Sequence, residues 1–421
     1  MNMRTSSTRT RPVRQRPDLT FKHNISEERH GWLRLTPAYS VKIVEQVLSQ
    51  HQKEISVLDP FSGTATTPLC AATHGHSATS VDINPFLVWF GETKISDYDE
   101  EAIARTRLVA IEIGRIVISK SISPAAPPPI ANVNRWWESD KLAYLCIVKA
   151  AISLFDAEPR TIQNLLNIAF CKTLIEVSNA AFNHQSMSFK DKDKNKDKGQ
   201  LELWTDETLG IDPFLQNVEA VLRSAELNPV GEAQVMLGDS RSLEFLGEQD
   251  FDLLITSPPY PNRMSYVREL RPYMYWLGYL KEAREAGELD WQAIGGTWGI
   301  ATSRLNDWER DRTSYCPDSI LVTIQKISRA DSKSGPVLAK YVGKYFEDMW
   351  LHFKSVRQKM KPGAEVHYIV GNSKFYDYLV PVETAYADML EKAGFENAKI
   401  EVIRKRNSKK ELFEFDVMAT A

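Results

Sequence analysis

The tetrapeptide Ser257-Pro258-Pro259-Tyr260 directly follows the apolar run 251–256. A strand there would end in a turn made largely of proline. Each proline removes a backbone donor and fixes a φ angle, so the turn is stiff and its carbonyls stay free to accept. A rigid loop with free acceptors and one exposed ring suits a flat ligand that carries an amino group, and a nucleobase is such a ligand. Taken alone, the same four residues also read as a stiff surface turn.

Three acids stand at the ends of other apolar runs. Asp59 closes 55–58, Asp82 closes 78–81, and Asp239 follows 234–237 and Gly238. A single strand-end aspartate is often only a helix cap; three at successive strand ends point to one shared ligand. The segment Asp59-Pro60-Phe61-Ser62-Gly63-Thr64 opens a helix. Its small residues let a ligand approach the backbone and turn helix N–H groups toward it. It has neither the Gly-Lys-Ser/Thr of a nucleoside-triphosphate loop nor the glycine spacing of a dinucleotide fold. An acid at Asp59 favours a cationic ligand and disfavours a pyrophosphate, and the amino group and sulfonium of S-adenosylmethionine are cationic. Asp82 sits about twenty residues on, where an acid bonds ribose hydroxyls in nucleotide-binding sheets. Asp239 could accept from an adenine amino group. The candidate cofactor set is Asp59, Pro60, Phe61, Ser62, Gly63, Thr64, Asp82, Asn84, Asp239 and Ser240.

The elements that must carry these residues alternate. Strands are expected at 55–58, 78–81, 234–237, 252–256 and 365–370, separated by helices that include 63–75, 264–281, 339–360 and 381–392. Two alternating strands, 398–404 and 412–419, follow as a hairpin. Lys361-Pro362-Gly363 is expected to stop the helix before the fifth strand. The pattern predicts an α/β fold with a doubly wound, mostly parallel seven-stranded sheet, a C-terminal antiparallel hairpin and a helical insertion, with ligands outside the carboxyl ends of the strands. Residues 1–20, with Arg4, Arg9, Arg11, Arg14 and Arg16, read as a flexible basic arm. The core is expected at 21–94 and 232–421, interrupted by an irregular insertion at 284–335. Residues 95–231 form the helical insertion, with helices at 99–120, 135–155 and 160–182.

The 421 residues are 43% hydrophobic and 25% charged, an ordinary globular composition. No apolar run is long enough to span a membrane. The Arg-rich N-terminus lacks the apolar stretch of a secretory signal. The four cysteines show no C-x-x-C pair, which argues against a disulfide scaffold or a zinc site and fits a reducing cytoplasm. No metal is expected. A net charge of −3 is a mild argument against nucleic-acid binding, although local patches outweigh the sum.

Together, the two motifs resemble those of amino-specific DNA methyltransferases, which act on N4 of cytosine or N6 of adenine. The segment 59–67 is similar to their first motif, Asp-Pro-Phe-x-Gly-x-Gly-Thr-Thr, and departs from it at Ala65, where a second glycine is expected; alanine serves there if its φ is negative. Leu35-Thr36-Pro37-Ala38-Tyr39, within 30–48, resembles the helix that precedes this motif. Gly238-Asp239-Ser240 and the segment Met360-Lys361-Pro362-Gly363 to Gly371-Asn372-Ser373 resemble later motifs. The resemblance covers roughly 30–94, 232–282 and 338–421. It implies S-adenosylmethionine as the methyl donor and Ser257, Pro258, Pro259 and Tyr260 as the catalytic turn, with Tyr260 stacking on a base flipped out of duplex DNA. Serine in the first position resembles the N4-cytosine enzymes, and aspartate or asparagine is commoner in those acting on adenine. No catalytic cysteine is needed, unlike in cytosine C5 chemistry.

Tyr266, Tyr273, Tyr275, Trp276 and Tyr279 recur at helical spacing and read mainly as core. Candidate DNA contacts are Arg263, Arg268, Arg404, Lys405 and Arg406, although the basic turn after 404 also reads as a solvated hairpin tip. Asn183-His184-Gln185 and 296–316 hold side chains of the types that read base edges. The expected activity is N4-cytosine methylation of duplex DNA, as the modification half of a restriction system with a partner endonuclease. The alternatives are adenine N6 methylation, an RNA amino-methyltransferase, and a non-catalytic nucleic-acid-binding relative.

Overall fold

The computed structural model describes residues 13–35, 38–181, 188–189, 212–248, 250–263, 265–296, 300–330, 332–406 and 411–421. One sheet holds β1 (Ser56–Asp59), β2 (Ser77–Asp82), β3 (Ala233–Leu237), β4 (Phe251–Thr256), β5 (Met360–Gly371), β6 (Glu396–Lys405) and β7 (Phe413–Thr420). Their order is β3-β2-β1-β4-β5-β7-β6. β1 to β5 pair in parallel, and β7 runs antiparallel to both β5 and β6. This is the doubly wound α/β sheet with a terminal hairpin that the alternation predicts. Among the described residues, no helix is long and apolar enough to cross a membrane.

The central strands are covered on both faces. Val57, Leu58, Leu253, Leu254 and Ile255 are all fully buried, which is why β1 and β4 read as continuous apolar runs and not as alternating ones. Around the sheet lie α1 (Val41–Leu48), α2 (Thr66–Thr73) and α3 (Pro85–Ile95). Pro85 occupies the first position of α3, and Asn84 Oδ1 accepts from the Phe86 amide at 3.0 Å to cap it. Between β2 and β3 come α4 (Glu100–Ser119), α5 (Ser139–Ser153), α6 (Arg160–Glu176) and α7 (Pro213–Ala225). Their apolar faces share one core with Phe86 of α3 and with Tyr273 and Trp276 of α8 (Tyr266–Trp276), so the aromatic stripe is largely core. After α8 follow α9 (Ala283–Gln292), α10 (Ile300–Asp307), α11 (Asp318–Ser328), α12 (Gly335–Arg357) and α13 (Val382–Lys392).

Several elements differ from the sequence expectation. The helix expected over 135–155 is broken at Trp137, whose extended backbone lets its indole sink fully into the core and donate to the Leu174 carbonyl at 2.8 Å. The helix expected over 160–182 stops at Glu176, and Ala180–Ala181 then pairs with Ser188–Phe189 as a short ribbon. The region 284–335 contains three helices, α9 to α11, instead of irregular chain. Lys361-Pro362-Gly363 does not stop α12, which has already ended at Arg357. Those residues lie inside β5 as an excursion: between Phe251↔Met360 and Leu253↔Glu365 the strand gains extra residues, and Gly363 takes φ +80°. Residues 13–20 pack and do not trail as a free arm. Leu19 is buried, Ser40 Oγ donates to the Asp18 carbonyl at 2.9 Å, and the Lys405 amide donates to the Arg14 carbonyl at 3.1 Å.

The strand order reverses at β1. From it the chain steps outward through β2 and β3, then returns to place β4 on the other side. The crevice at such a switch point, outside the carboxyl ends of the strands, is where ligands bind in sheets of this kind. The segments containing Asp59, Asp82, Asp239 and Ser257 all leave the sheet at that edge.

Candidate functional site

Two cavities open at this edge and share a wall made of Ala38, Tyr39, Ser257 and Tyr266. The first cavity is bordered by the loop after β1, the ends of β2 and β3, and α9. Gly63 and Ala65 both have left-handed backbones, with φ +51° and +54°. The negative φ under which alanine would serve there is therefore not what Ala65 adopts. An L-residue in this region is strained by about 1–2 kcal/mol, and glycine would not be. The extra methyl fits because α3 carries Gly91 opposite: a Cβ on Gly91 would lie 3.1 Å from that of Ala65.

The acids have distinct surroundings. Asp82 Oδ2 accepts from the Gly63 amide and Oδ1 from the Asn84 amide, each at 2.8 Å, so Asp82 shapes the loop while still bordering the cavity. Burial pushes its carboxyl up to about 7. Asp59 is 1% exposed and lies under the loop. Its Oδ1 accepts from the Phe61 amide at 3.1 Å and from Thr256 Oγ1 at 2.6 Å, which ties the end of β1 to the end of β4. Its Oδ2 is buried with no hydrogen-bond partner among the described residues, and burial raises this carboxyl to about 6. Asp239 borders the cavity, but Arg241 holds its carboxylate through Nε–Oδ1 at 2.9 Å and Nη2–Oδ2 at 2.6 Å. Arg241 also reaches Asp348 at 2.9 Å and the Gln292 carbonyl at 2.8 Å, which fixes α9 across the cavity.

Of the remaining cofactor candidates, Pro60, Phe61, Ser62, Gly63, Thr64, Asn84 and Ser240 all border the first cavity. Ser62 Oγ accepts from Ser80 Oγ at 3.0 Å. Asn84 spends its Oδ1 on the cap of α3. The Ser240 carbonyl accepts from His352 Nδ1 at 3.0 Å, leaving Nε2 as the acceptor for Tyr368 Oη at 3.0 Å. The Phe61 ring lies 4.7 Å from the His352 ring, and burial pushes that imidazole down to about 4, so it is neutral.

Ser257 borders both cavities, and its hydroxyl donates to the Ile369 carbonyl of β5 at 3.1 Å. With its proton directed to β5, Oγ is left with lone pairs to accept a donor. Pro258 borders the second cavity and Pro259 the first. The Tyr260 amide donates to Tyr266 Oη at 2.9 Å, and Tyr260 Oη donates to Glu414 Oε1 at 3.0 Å.

The basic candidates divide. Arg263 and Arg268 are exposed. Arg404 turns onto Glu414, with Nε–Oε2 at 2.6 Å, and Arg406 lies 4.9 Å above the Tyr260 ring. The expected solvated tip therefore directs both arginines inward, because β6 and β7 set Arg404 directly opposite Glu414. Both border the second cavity together with Lys405. Thr36, Pro37, residues 183–185, 190–198, 297–299 and 407–410 lie outside the described residues.

Sequence reasoning missed Glu414, Arg241 and Lys94. Lys94 is fully buried and its Nζ donates to the Thr64 carbonyl at 2.6 Å, holding the loop from behind. Burial pushes this ammonium down to about 7. A lysine inside the apolar run of α3 was the available signal.

No family model matches the chain. It is 22% identical over 434 aligned positions to the type II methyltransferase M.BsoBI of Geobacillus stearothermophilus, covering 92% of this chain and 82% of that one. It is 21% identical over 413 positions to the type II methyltransferase M.AvaI of Nostoc sp. PCC 7120, covering 91% and 83%. It is 21% identical over 375 positions to the type II methyltransferase M.MvaI of Kocuria varians, covering 84% and 77%. A likeness to the solved rRNA methyltransferase aviRa of Streptomyces viridochromogenes is too weak to bear on function (9% identity, TM-score 0.31, over 95% and 96% of the two chains). These relatives imply a methyltransferase whose methyl donor is S-adenosylmethionine. The first cavity fits a donor of that chemistry. Asp82 and Asp239 are its charged wall residues among those described, and Leu35, Leu87, Val267 and Ile294 give it an apolar stretch.

Proposed function

We propose that this chain transfers a methyl group from S-adenosylmethionine to N4 of cytosine in duplex DNA, as the modification enzyme of a restriction system. The observation that carries this reading is the position of Ser257 on the wall shared by two cavities of opposite charge. The first cavity has carboxylates and no cation on its described wall, which suits a cationic donor. Among the described residues the second is bordered by Arg16, Lys22, Arg404, Lys405 and Arg406; Asp18 pairs with Arg16 and Glu414 with Arg404, which leaves Lys22, Lys405 and Arg406 in excess and suits a polyanion.

Bound at the first cavity, the donor supplies a methyl group on a cationic sulfur. The loop from Ser62 to Thr64 borders its place, and Asp82, with Asp239 and its Arg241 partner, would hold it. The acceptor amine is a poor nucleophile because its lone pair is delocalised into the ring. Its two N–H groups donate to Ser257 Oγ and the Pro258 carbonyl, which favours a tetrahedral nitrogen and localises the pair. That pair forms the new N–C bond as the methyl leaves sulfur, and the amine proton is lost to solvent afterwards. Tyr260 stacks on the base, whose extraction from the duplex costs roughly a few kcal/mol. Serine at 257 favours cytosine over adenine.

The test is direct. The protein is incubated with plasmid and labelled donor, and the nucleosides are identified by mass. N4-methylcytosine is the expected product; N6-methyladenine alone overturns the cytosine reading. Ser257→Ala is expected to keep donor affinity within about twofold and to lower kcat by about a hundredfold or more. Undiminished turnover would remove the serine from the mechanism.

A further inference from the structure

Glu414 of β7 is 4% exposed, yet its carboxylate is fully engaged. Arg404 grips it through Nε–Oε2 at 2.6 Å and Nη2–Oε1 at 3.0 Å, and Tyr260 Oη donates to Oε1 at 3.0 Å. On one face of the same tyrosine ring lies the Arg406 guanidinium, its central carbon 4.9 Å from the centroid, with Nη1 donating to the Asn372 carbonyl at 2.9 Å. Asn372 is itself tied to β7, since its Oδ1 accepts from the Phe413 amide at 2.9 Å.

The contacts follow from strand register. Gly371, Glu414 and Arg404 stand opposite one another on β5, β7 and β6. At 371 only glycine leaves room: a Cβ there would lie 2.4 Å from Arg406 Nη1 and 2.9 Å from Tyr260 Cε2. A largely buried ion pair of this kind is not a strong source of stability, because well-packed apolar residues do as well or better. What it does here is fix one aromatic side chain in tilt and depth. The hydroxyl is held from the edge by a carboxylate, and one face is covered by a planar cation.

We propose that Arg404, Glu414 and Arg406 form a clamp that fixes the Tyr260 ring, so that an extracted base stacks at the depth where its amine meets Ser257. Glu414 is then a positioning residue for methyl transfer. This rests on the reading of the site as a DNA methyltransferase. The clamp acts on the acceptor alone, because none of these three residues borders the first cavity.

The test measures kcat and KM for plasmid DNA, together with donor affinity by calorimetry, for full-length wild type, Ser257→Ala, Tyr260→Phe, Glu414→Gln and the Tyr260→Phe/Glu414→Gln double variant. Each clamp variant is expected to lower kcat/KM for DNA by about tenfold with donor affinity within about twofold of wild type. The double variant should lose less than the sum of the two single losses, since both variants act on the Tyr260–Glu414 contact. Arg406→Lys, which keeps the charge and loses the plane, should fall with Arg406→Ala and not with wild type. Additive losses in the double variant, or wild-type kcat/KM in Tyr260→Phe, overturn the clamp. Tyr260→Phe removes only a hydroxyl, so it decides the matter if the Glu414 variant fails to fold. An inactive Ser257→Ala beside fully active clamp variants sinks the clamp and spares the site. A wild-type protein that transfers no methyl to DNA sinks both.

Discussion

Asp82 carries two demands at once. It organises the loop through the Gly63 and Asn84 amides, and it faces the first cavity. Burial raises Asp82 to about 7 and Asp59 to about 6. With folded values above the ordinary carboxylate, the stability these groups contribute is fully present below about pH 4 and is lost as pH rises through 6 to 7. A cationic donor prefers the ionised form and so expels protons on binding. Donor affinity is therefore expected to rise several-fold, on the order of one decade at most, from pH 6 to 8. Calorimetry in buffers of different ionisation heat should register proton release, and Asp82→Asn should remove most of the slope. A flat profile in the unmodified protein would show that neither carboxylate senses the donor. The motif residues were legible as residue types. Their hydrogen-bond assignments were not: nothing in the local sequence says that Asp59 reaches Thr256 across two strands, or that Arg241 occupies Asp239.

At the scale of elements, the loop after β1 and the helix that faces it form a matched pair. Ala65 adopts a left-handed backbone that glycine takes more easily, and Gly91 of α3 makes the space for its methyl. Gly91→Ala would bring a carbon within 2.9 Å of Val235 Cγ2 and 3.1 Å of Ala65 Cβ. Such overpacking costs about 1–3 kcal/mol. In an Ala65→Gly background the same substitution should cost roughly 0.5–1 kcal/mol less, since one of the two collisions is gone. Urea unfolding of the four proteins measures this, and equal costs in both backgrounds would separate the two positions. The strands were readable because buried parallel strands are short apolar runs bounded by turns. Where the reading failed, long-range contacts had overridden local pattern. Trp137 leaves a helix to reach the Leu174 carbonyl, and β5 bulges around Gly363, whose amide donates to the Ala421 carbonyl at 2.7 Å. In α11 a signal was present and overlooked: Ile320, Thr323 and Ile327 are buried at helical spacing inside a region whose composition looked irregular.

For the whole molecule, net charge misleads. A chain of net charge −3 gathers cations at the mouth of one cavity and carboxylates at the other. Composition could not reveal this, because Arg16, Lys22 and Arg404 to Arg406 meet only after the N-terminal segment packs beside β6. Lys22 is exposed on that mouth. Lys22→Glu should raise KM for DNA several-fold and reduce the salt slope of binding by about 1, with donor affinity unchanged. Filter binding across a salt series measures it, and an unaltered slope would move the DNA path elsewhere.

The pairing of β1 with β4 has a consequence for how such a protein can vary. Neighbouring strands stand about 4.8 Å apart, so the two loops that leave them begin at a separation set by the sheet before either loop adopts a shape. The buried bridge from Asp59 to Thr256 pins that separation at the edge itself. The long insertions enter elsewhere, after β2 and after β4 and α8, and can lengthen or shorten without changing the span. Reaction distance and insertion length are thus independent variables in this architecture. One can stay constant while the other drifts.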